Sequence, residues 1–237
     1  MALGLYTALP GFAGWDDGCA GLLAPALPVV GLILGALWAA LTALARAVLP
    51  EPLAACILVL SLPAMTGFLH LDGYMDVADA LLSSRSREEK LRILKDSHVG
   101  SFAVLALACL LMLEAAAALS LGETPLWPLV FLPVVSRSTA SVALMSLPPL
   151  SQSAYGRLNY DGATGGRRAF CLACGGAAVL AALITGWQGG VACLLAGAGG
   201  ALACFAAVRS LGGMNGDVAG CMICCAEGCG LVALACL

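Results

Sequence analysis

Three aspartates, Asp72, Asp76 and Asp79, stand out in a chain that is otherwise strongly apolar. In a helix, their i, i+4 and i+7 spacing projects all three carboxylates from one face. Like charges crowded in this way repel one another, and a bound cation relieves the repulsion. Mg²⁺ prefers oxygen ligands and in turn binds phosphate groups. Together with Asp96, which follows in the same stretch, these residues predict a Mg²⁺-dependent phosphate site.

The alternative for the four aspartates is a solvated acidic face, neutralised by the basic residues that follow it. Five of the 11 Lys and Arg residues cluster there: Arg85, Arg87, Lys90, Arg92 and Lys95. Three roles are open for this basic cluster: it binds substrate phosphates, it contacts anionic lipid headgroups, or it only marks a cytoplasmic loop. Asp76 and Asp79 have apolar neighbours close to the membrane, which favours the metal site. Lys95, beside Asp96, is the predicted phosphate-binding residue.

Arg137 lies well inside a predicted membrane span. An ionisable group at that depth is costly and usually faces a partner in the bundle interior. Two interpretations remain open: Arg137 binds a substrate phosphate, or it forms a structural pair with Glu114 or Glu227.

A second candidate stretch reads LGGMNGDVAG and contains Gly213 and Asp217. Its glycines allow backbone N–H groups to approach a ligand, and Asp217 adds a carboxylate on the same side of the membrane as the main cluster. The alternative is a glycine loop capped by Asp217 at a helix start. His70 and His98 flank the acidic region, and we expect them to be packed, hydrogen-bonding residues rather than ligands.

The elements that position these residues are membrane helices. The chain is 61% hydrophobic and 11% charged, whereas soluble domains carry about 25% charged residues. Runs of about 20 apolar residues predict an all-α, polytopic membrane bundle with about 6–7 spans and no cleaved signal peptide. We expect residues 1–237 to form a single domain. The predicted spans are 24–47, 52–70, 101–121, 126–147, 169–187, 189–208 and 219–236, the last short enough to be re-entrant.

The basic residues fix the predicted orientation. They concentrate in the loops 71–100, 148–168 and 209–218, which all fall on one side of the membrane when the spans are counted. The positive-inside rule makes that side cytoplasmic. Positions 71–98 alternate apolar and charged residues at helical spacing, which predicts an amphipathic helix lying partly in the interface.

The 12 cysteines do not by themselves indicate a metal centre. Most lie in apolar segments, and the densest group, Cys221, Cys224, Cys225 and Cys229, has no accompanying histidine. Because buried free cysteine behaves as a small apolar residue, we favour packing over zinc or iron–sulfur ligation.

The stretch HLDGYMDVADALLSS, followed by LRILKDSHVGSF, resembles the cobalamin synthase family, the adenosylcobinamide-GDP ribazoletransferases. LGGMNGDVAG and the opening YTALP support the resemblance, which is collinear over nearly the whole chain. The sequence departs from the family pattern at Asn215, where threonine is usual, at Cys224, often acidic, and at Tyr74, which interrupts a run of small apolar residues.

The resemblance implies a Mg²⁺-dependent transfer of adenosylcobinamide phosphate from adenosylcobinamide-GDP to α-ribazole or its 5′-phosphate, with release of GMP, in late cobalamin biosynthesis. It implies catalytic and metal-binding roles for Asp72, Asp76, Asp79 and Asp96. Substrate contacts would come from Lys95, Arg137, Gly213 and Asp217. We expect a multi-pass protein of the inner membrane with its active site facing the cytoplasm, with membrane lipid and a further subunit as candidate partners and no nucleic acid.

Two other functions are weighed against this one. A CDP-alcohol phosphotransferase also uses aspartates at a membrane face, but its signature places Ala-Arg after Asp-Gly, and here Asp76 follows Gly73 without that pair. A divalent-cation transporter would distribute acidic residues through the membrane depth. Here only Glu114 and Glu227 fall within predicted spans.

Overall fold

The computed structural model describes residues 1–9, 14, 16–151 and 153–237. Within these ranges the chain forms helices and turns, with one isolated bridge between Pro149 and Met214 in place of any strand. The helices are α1 (Ala2–Tyr6), a 3₁₀ helix (Asp17–Leu22), α2 (Leu23–Val48), α3 (Glu51–Met65), α4 (Leu69–Leu82), α5 (Arg87–Ile93), α6 (Ser101–Ser120), α7 (Pro128–Ser146), α8 (Ala154–Asp161), α9 (Gly165–Thr185), α10 (Trp187–Leu211) and α11 (Gly216–Cys236). The predicted all-α fold is confirmed.

Six helical segments in the described part of the chain are long and apolar enough to cross a membrane. They are Gly18–Val48, Ser101–Ser120, Pro128–Ser146, Gly165–Thr185, Trp187–Leu211 and Gly216–Cys236. These segments correspond to six of the seven predicted spans, so the chain is a multi-pass membrane protein. The last of them is a continuous helix of 21 residues, which at 1.5 Å per residue is about 31 Å long and sufficient to cross.

The second predicted span, 52–70, is wrong as a single helix. α3 ends at Met65 after 15 residues, or about 22 Å, less than the roughly 30 Å of a hydrocarbon core. Gly67 and Phe68 both have φ of 60°, and the chain turns by 91° into α4. Pro63 lies in the last turn of α3, where it has no N–H to donate to the carbonyl four residues before it, which weakens this end of the helix. The bent pair α3–α4 would count as a seventh span only if it is taken as one unit.

The predicted amphipathic helix 71–98 is also interrupted. α4 ends at Leu82, and α5 begins at Arg87 after a serine-rich link. Serine competes for backbone hydrogen bonds and favours helix ends. The Ser83 hydroxyl donates to the Ala80 carbonyl at 2.8 Å, and Ser86 caps α5 in a capping box with Glu89. Two short helices therefore replace the predicted long one.

The carboxylate-bearing helix α4 packs closely against the start of α11. A Cβ atom built on Gly73 would lie 2.9 Å from the Asp217 Cα, and one built on Gly220 would lie 2.9 Å from the His70 carbonyl oxygen. Small residues of this kind let membrane helices approach at backbone distance. The two glycines hold the acidic face of α4 beside Asp217.

The three loops predicted to be cytoplasmic meet at one end of the bundle. The Leu150 N–H donates to the Met214 carbonyl and the Met214 N–H to the Pro148 carbonyl, each at 2.9 Å. Arg87 Nε donates to the Leu211 carbonyl at 2.8 Å, which caps the end of α10. Lys90 Nζ donates to Ser210 Oγ at 3.0 Å. Two members of the basic cluster thus fasten α5 to α10.

Candidate active site

α4 carries three of the predicted site residues in the arrangement their spacing requires. Asp72 is exposed, while Asp76 and Asp79 are partly buried. Asp76 lies close enough to Asp72, Asp217 and Asp79 for their charges to repel its own. The fold thus adds a fourth carboxylate, from the start of α11, to the three that share a face of α4.

Asp79 has a structural partner at the start of α6. Its Oδ1 accepts a hydrogen bond from the Ala103 N–H at 3.3 Å, and its carboxylate lies directly against Gly100. A carboxylate at this position satisfies an otherwise unpaired N–H group and complements the helix dipole. In this conformation Asp79 serves as a cap for α6.

Asp96 lies in the exposed turn that follows α5. It accepts hydrogen bonds from the His98 N–H at 3.0 Å and from His98 Nδ1 at 2.6 Å. These bonds lower the pKa of the Asp96 carboxyl below its ordinary value. The carboxylates that repel the charge of Asp76 are those of Asp72, Asp217 and Asp79, and Asp96 is not one of them. The structure therefore does not bring all four predicted aspartates together.

In the part of the chain that the structure describes, no three His, Cys, Asp or Glu side chains converge on a point able to hold a metal ion. The carboxylates of α4 and α11 are crowded but not arranged as a closed coordination shell. Magnesium binding by Asp72, Asp76, Asp79 and Asp96 stays a prediction.

The loop between α10 and α11 orients Asp217. Asn215 caps α11, since its Oδ1 accepts from the Val218 N–H at 2.9 Å. The Nδ2 of the same side chain donates to Asp217 Oδ2 at 2.6 Å. Asn215 thus uses an acceptor and a donor at once, and it, rather than Asp217, provides the helix cap.

Gly213 lies inside this loop, packed against the loop before α8. A Cβ atom there would lie 2.9 Å from the Leu150 nitrogen and 3.0 Å from the Pro148 oxygen. Any side chain would therefore separate the two loops. Contact between Gly213 and a substrate stays a prediction, and its visible role is close packing.

Lys95 and Asp217 share a cleft of about 360 Å³, which we call the Lys95 cleft. Its other polar lining residues are Ser151, Ser153, Tyr155 and Asn215. A cleft lined by an exposed lysine together with hydroxyl and amide groups suits a ligand that carries phosphate groups.

A second cavity of about 200 Å³, the Ile223 cavity, adjoins this cleft. Tyr155, Gly216 and Asp217 line both spaces. The Ile223 cavity also receives Asp72 and His70 from α4. Asp72 of α4 and the predicted phosphate-binding lysine therefore line two neighbouring spaces at the same end of the bundle, whereas Asp76 and Asp79 line neither.

Tyr155 is a site residue that the sequence interpretation did not single out. Its hydroxyl forms a 2.7 Å hydrogen bond with the Tyr6 hydroxyl of α1, and its carbonyl accepts from Asn159 Nδ2 at 2.8 Å. Burial raises the pKa of Tyr155 to about 12, so the phenol stays protonated and can donate. The only signal in the sequence was the polar, glycine-bearing stretch SAYGRLNYDG.

Arg137 is fully buried and forms an ion pair with Glu227. Ser136 Oγ donates to the same carboxylate oxygen at 2.9 Å. Arg137 lines neither the Lys95 cleft nor the Ile223 cavity. Of the two open interpretations, this conformation adopts the structural pair, with Glu227 rather than Glu114 as the partner.

Comparison with known proteins identifies relatives over almost the full length. Residues 1–235 match the model of the cobalamin-5-phosphate synthase family, CobS. The adenosylcobinamide-GDP ribazoletransferase of Clostridium perfringens (strain 13) is 38% identical, over 99% of this chain and 95% of the relative. The proteins of the same name from Clostridium botulinum (strain Eklund 17B) and Roseiflexus sp. (strain RS-1) are 35% and 34% identical, over 93% and 89% of this chain and 89% and 76% of those proteins.

No solved structure matches the chain. The family match leaves out only the last two residues, and the relatives' names all describe a transferase. The chain belongs to the cobalamin-5-phosphate synthase family and is an enzyme of the transferase class.

Proposed function

We propose that the chain transfers the adenosylcobinamide phosphate group from adenosylcobinamide-GDP to α-ribazole or α-ribazole 5′-phosphate. The products are GMP and adenosylcobalamin or its 5′-phosphate. The observation that carries this proposal is the pair of adjoining cavities, with Lys95 and Asp217 in one and Asp72 and Asp217 in the other. A transferase that joins two substrates needs two such neighbouring spaces.

The reaction requires a hydroxyl oxygen of the acceptor to attack the phosphorus that carries the cobinamide. An O–P bond forms, the P–O bond to the leaving GMP breaks, and the hydroxyl proton must be removed. Lys95 binds and orients the diphosphate in its cleft, because its ammonium group offsets phosphate charge. One of the site carboxylates that is not fully committed to the metal takes the proton as general base.

The carboxylates of α4 and α11 have the donor chemistry that Mg²⁺ requires, although among the described residues they do not close around a common point. Their donor atoms are carboxylate oxygens, which Mg²⁺ prefers, and among the described residues no Lys, Arg or His lies within 4.0 Å of Asp72, Asp76 or Asp217 to neutralise them. These three would hold the ion. Asp79 and Asp96 are the further predicted ligands, and each would have to leave its present hydrogen bonds. When bound, Mg²⁺ supplies charge neutralisation for the phosphate oxygens.

The same geometry supports a cytoplasmic active site in the inner membrane. The three basic loops meet at the end of the bundle where both cavities lie, and positively charged loops are retained on the cytoplasmic side. Arg85 and Arg92 of the α5 region are exposed there, available to anionic lipid headgroups. We propose that residues 1–237 act as one transferase domain.

A transferase assay on detergent-purified protein tests the proposal. Adenosylcobinamide-GDP, α-ribazole and Mg²⁺ are supplied, and GMP release and corrinoid product are followed with and without EDTA. Asp76→Asn and EDTA should each abolish product. Glu123→Gln, which removes an exposed carboxylate at the opposite end of the bundle, should leave the rate within twofold of wild type. A folded wild-type protein that forms no product would contradict the proposal, and CDP-activated donors would be tested next.

A further inference from the structure

The Ile223 cavity has a chemical character different from that of the cleft beside it. Its apolar lining comes from α1, α2, α4 and α11, through Leu5, Leu27, Leu69, Ala219 and Ile223. Leu27 and Ile223 are almost fully buried. Leu5 and Leu69 are exposed, so the cavity has a packed interior wall and an exposed apolar rim.

The Ile223 cavity also has polar lining groups. Asp72 and Asp217 supply carboxylates and His70 supplies an imidazole, and among the described residues no Lys or Arg lines the cavity. The hydrogen bond between Tyr6 and Tyr155 joins α1 to α8 beside it. A ligand that fills the cavity must therefore be apolar over most of its surface and place its polar groups beside the carboxylates.

The size and lining of the Ile223 cavity exclude the larger parts of the donor substrate, and they also exclude a lipid chain. A volume of about 200 Å³ is below the roughly 300–1,000 Å³ of clefts that hold drug-sized ligands, so a corrin ring does not fit. A diphosphate is polar over its whole surface and would leave the apolar lining of Leu27, Ala219 and Ile223 unmatched. A lipid acyl chain would leave the carboxylates and the imidazole unpaired, at a cost for each buried polar group.

We propose, building on the function above, that the Ile223 cavity binds the aromatic base of the nucleoside acceptor. The base packs against Leu27, Ala219 and Ile223, and the ribose hydroxyls lie at the rim beside Asp72 and Asp217. The attacking oxygen then faces the Lys95 cleft, where the donor diphosphate lies. In this arrangement the new O–P bond forms as the bond to the leaving GMP breaks, and the hydroxyl proton goes to the general base of the proposed function.

The size of the cavity therefore sets which base is accepted. Ala219→Leu adds a bulky group to the wall, and Ile223→Ala removes one. Adding or removing methylene groups in an apolar pocket changes discrimination by roughly 10–200-fold. Ala233→Leu is the matched control, since Ala233 is a buried alanine of the same helix that lies outside the cavity lining.

The test measures kcat/KM for α-ribosides of three bases: imidazole, the natural bicyclic base and a larger tricyclic base. Ala219→Leu should shift preference toward the imidazole riboside by at least tenfold, and Ile223→Ala should shift it toward the tricyclic riboside. The KM for adenosylcobinamide-GDP should stay unchanged in both. Ala233→Leu should keep the wild-type order of acceptors.

The outcomes separate this inference from the function on which it rests. Variants that form product with an unchanged order of acceptors would overturn the assignment of the cavity and leave the transferase function standing. Equal losses of kcat/KM for all three acceptors would also overturn it, because they indicate general damage. If wild type forms no product with any acceptor, the proposed function fails, and this inference fails with it.

Discussion

The ion pair between Arg137 and Glu227 gives a quantitative test of the bundle interior. The Arg137 side chain is 1% exposed and that of Glu227 is 12% exposed. Arg137→Met leaves the Glu227 carboxylate with Ser136 as its remaining hydrogen-bond donor in the structure. Removing one member of a buried pair costs roughly 3–5 kcal/mol, because the other charge stays buried without compensation.

The double variant Arg137→Met/Glu227→Leu removes both charges and should recover most of that loss. For a chain of this length, each kcal/mol shifts the melting temperature by roughly 2–4 °C. The single variants should therefore melt roughly 6–20 °C below wild type, and the double variant within a few degrees of it. The measurement is thermal unfolding in one detergent at fixed pH, with a double-mutant cycle to isolate the coupling.

The same cycle separates a structural role for Arg137 from a substrate contact. If Arg137 only pairs with Glu227, the double variant regains both its melting temperature and its KM for adenosylcobinamide-GDP. Recovered stability with a raised KM would instead assign a phosphate contact to Arg137. A double variant as unstable as the sum of the two single variants would refute the coupling inferred from the structure.

Three further predictions concern the cytoplasmic end. Saturating Mg²⁺ at about 100 times its dissociation constant should stabilise wild type by about 2.7 kcal/mol. Asp76→Asn should remove that gain, and it should raise the melting temperature of the metal-free protein because it relieves the charge repulsion at Asp76. A Mg²⁺ response that survives the substitution would count against the site. Gly73→Leu should lower activity more than tenfold by forcing α4 away from the Asp217 backbone, which a change of less than twofold with normal expression would contradict. Lys95→Ala should raise the KM for adenosylcobinamide-GDP by roughly 10–150-fold, since a charged hydrogen bond is worth roughly 1.5–3 kcal/mol and each 1.4 kcal/mol is tenfold in affinity. Arg92→Ala, outside the Lys95 cleft, should leave this KM unchanged, and equal effects of the two substitutions would indicate only general attraction of anions.

The helix breaks show where a pattern read along the sequence reached its limit. Hydropathy alone made 52–70 one span, because Thr66, Gly67 and Phe68 do not lower the mean enough to mark an end. The turn depends on two consecutive residues with positive φ, a backbone choice that hydropathy does not encode. Likewise, the apolar period of 71–98 continues across the serine link, and only the caps at Ser83 and Ser86 end one helix and start the next.

The sequence by itself determined the membrane helices and the shared face of Asp72, Asp76 and Asp79, because both follow from composition and from the fixed geometry of a helix. It also indicated the family, because the motif residues lie close together in the chain. Only the tertiary structure decided which distant residues meet them. Asp217 joins the aspartates because glycines let α4 approach α11, and Tyr155 borders both cavities through loop packing. Arg137 pairs with Glu227, 90 residues away, a choice that depends on how α7 faces α11 and that no local spacing specifies.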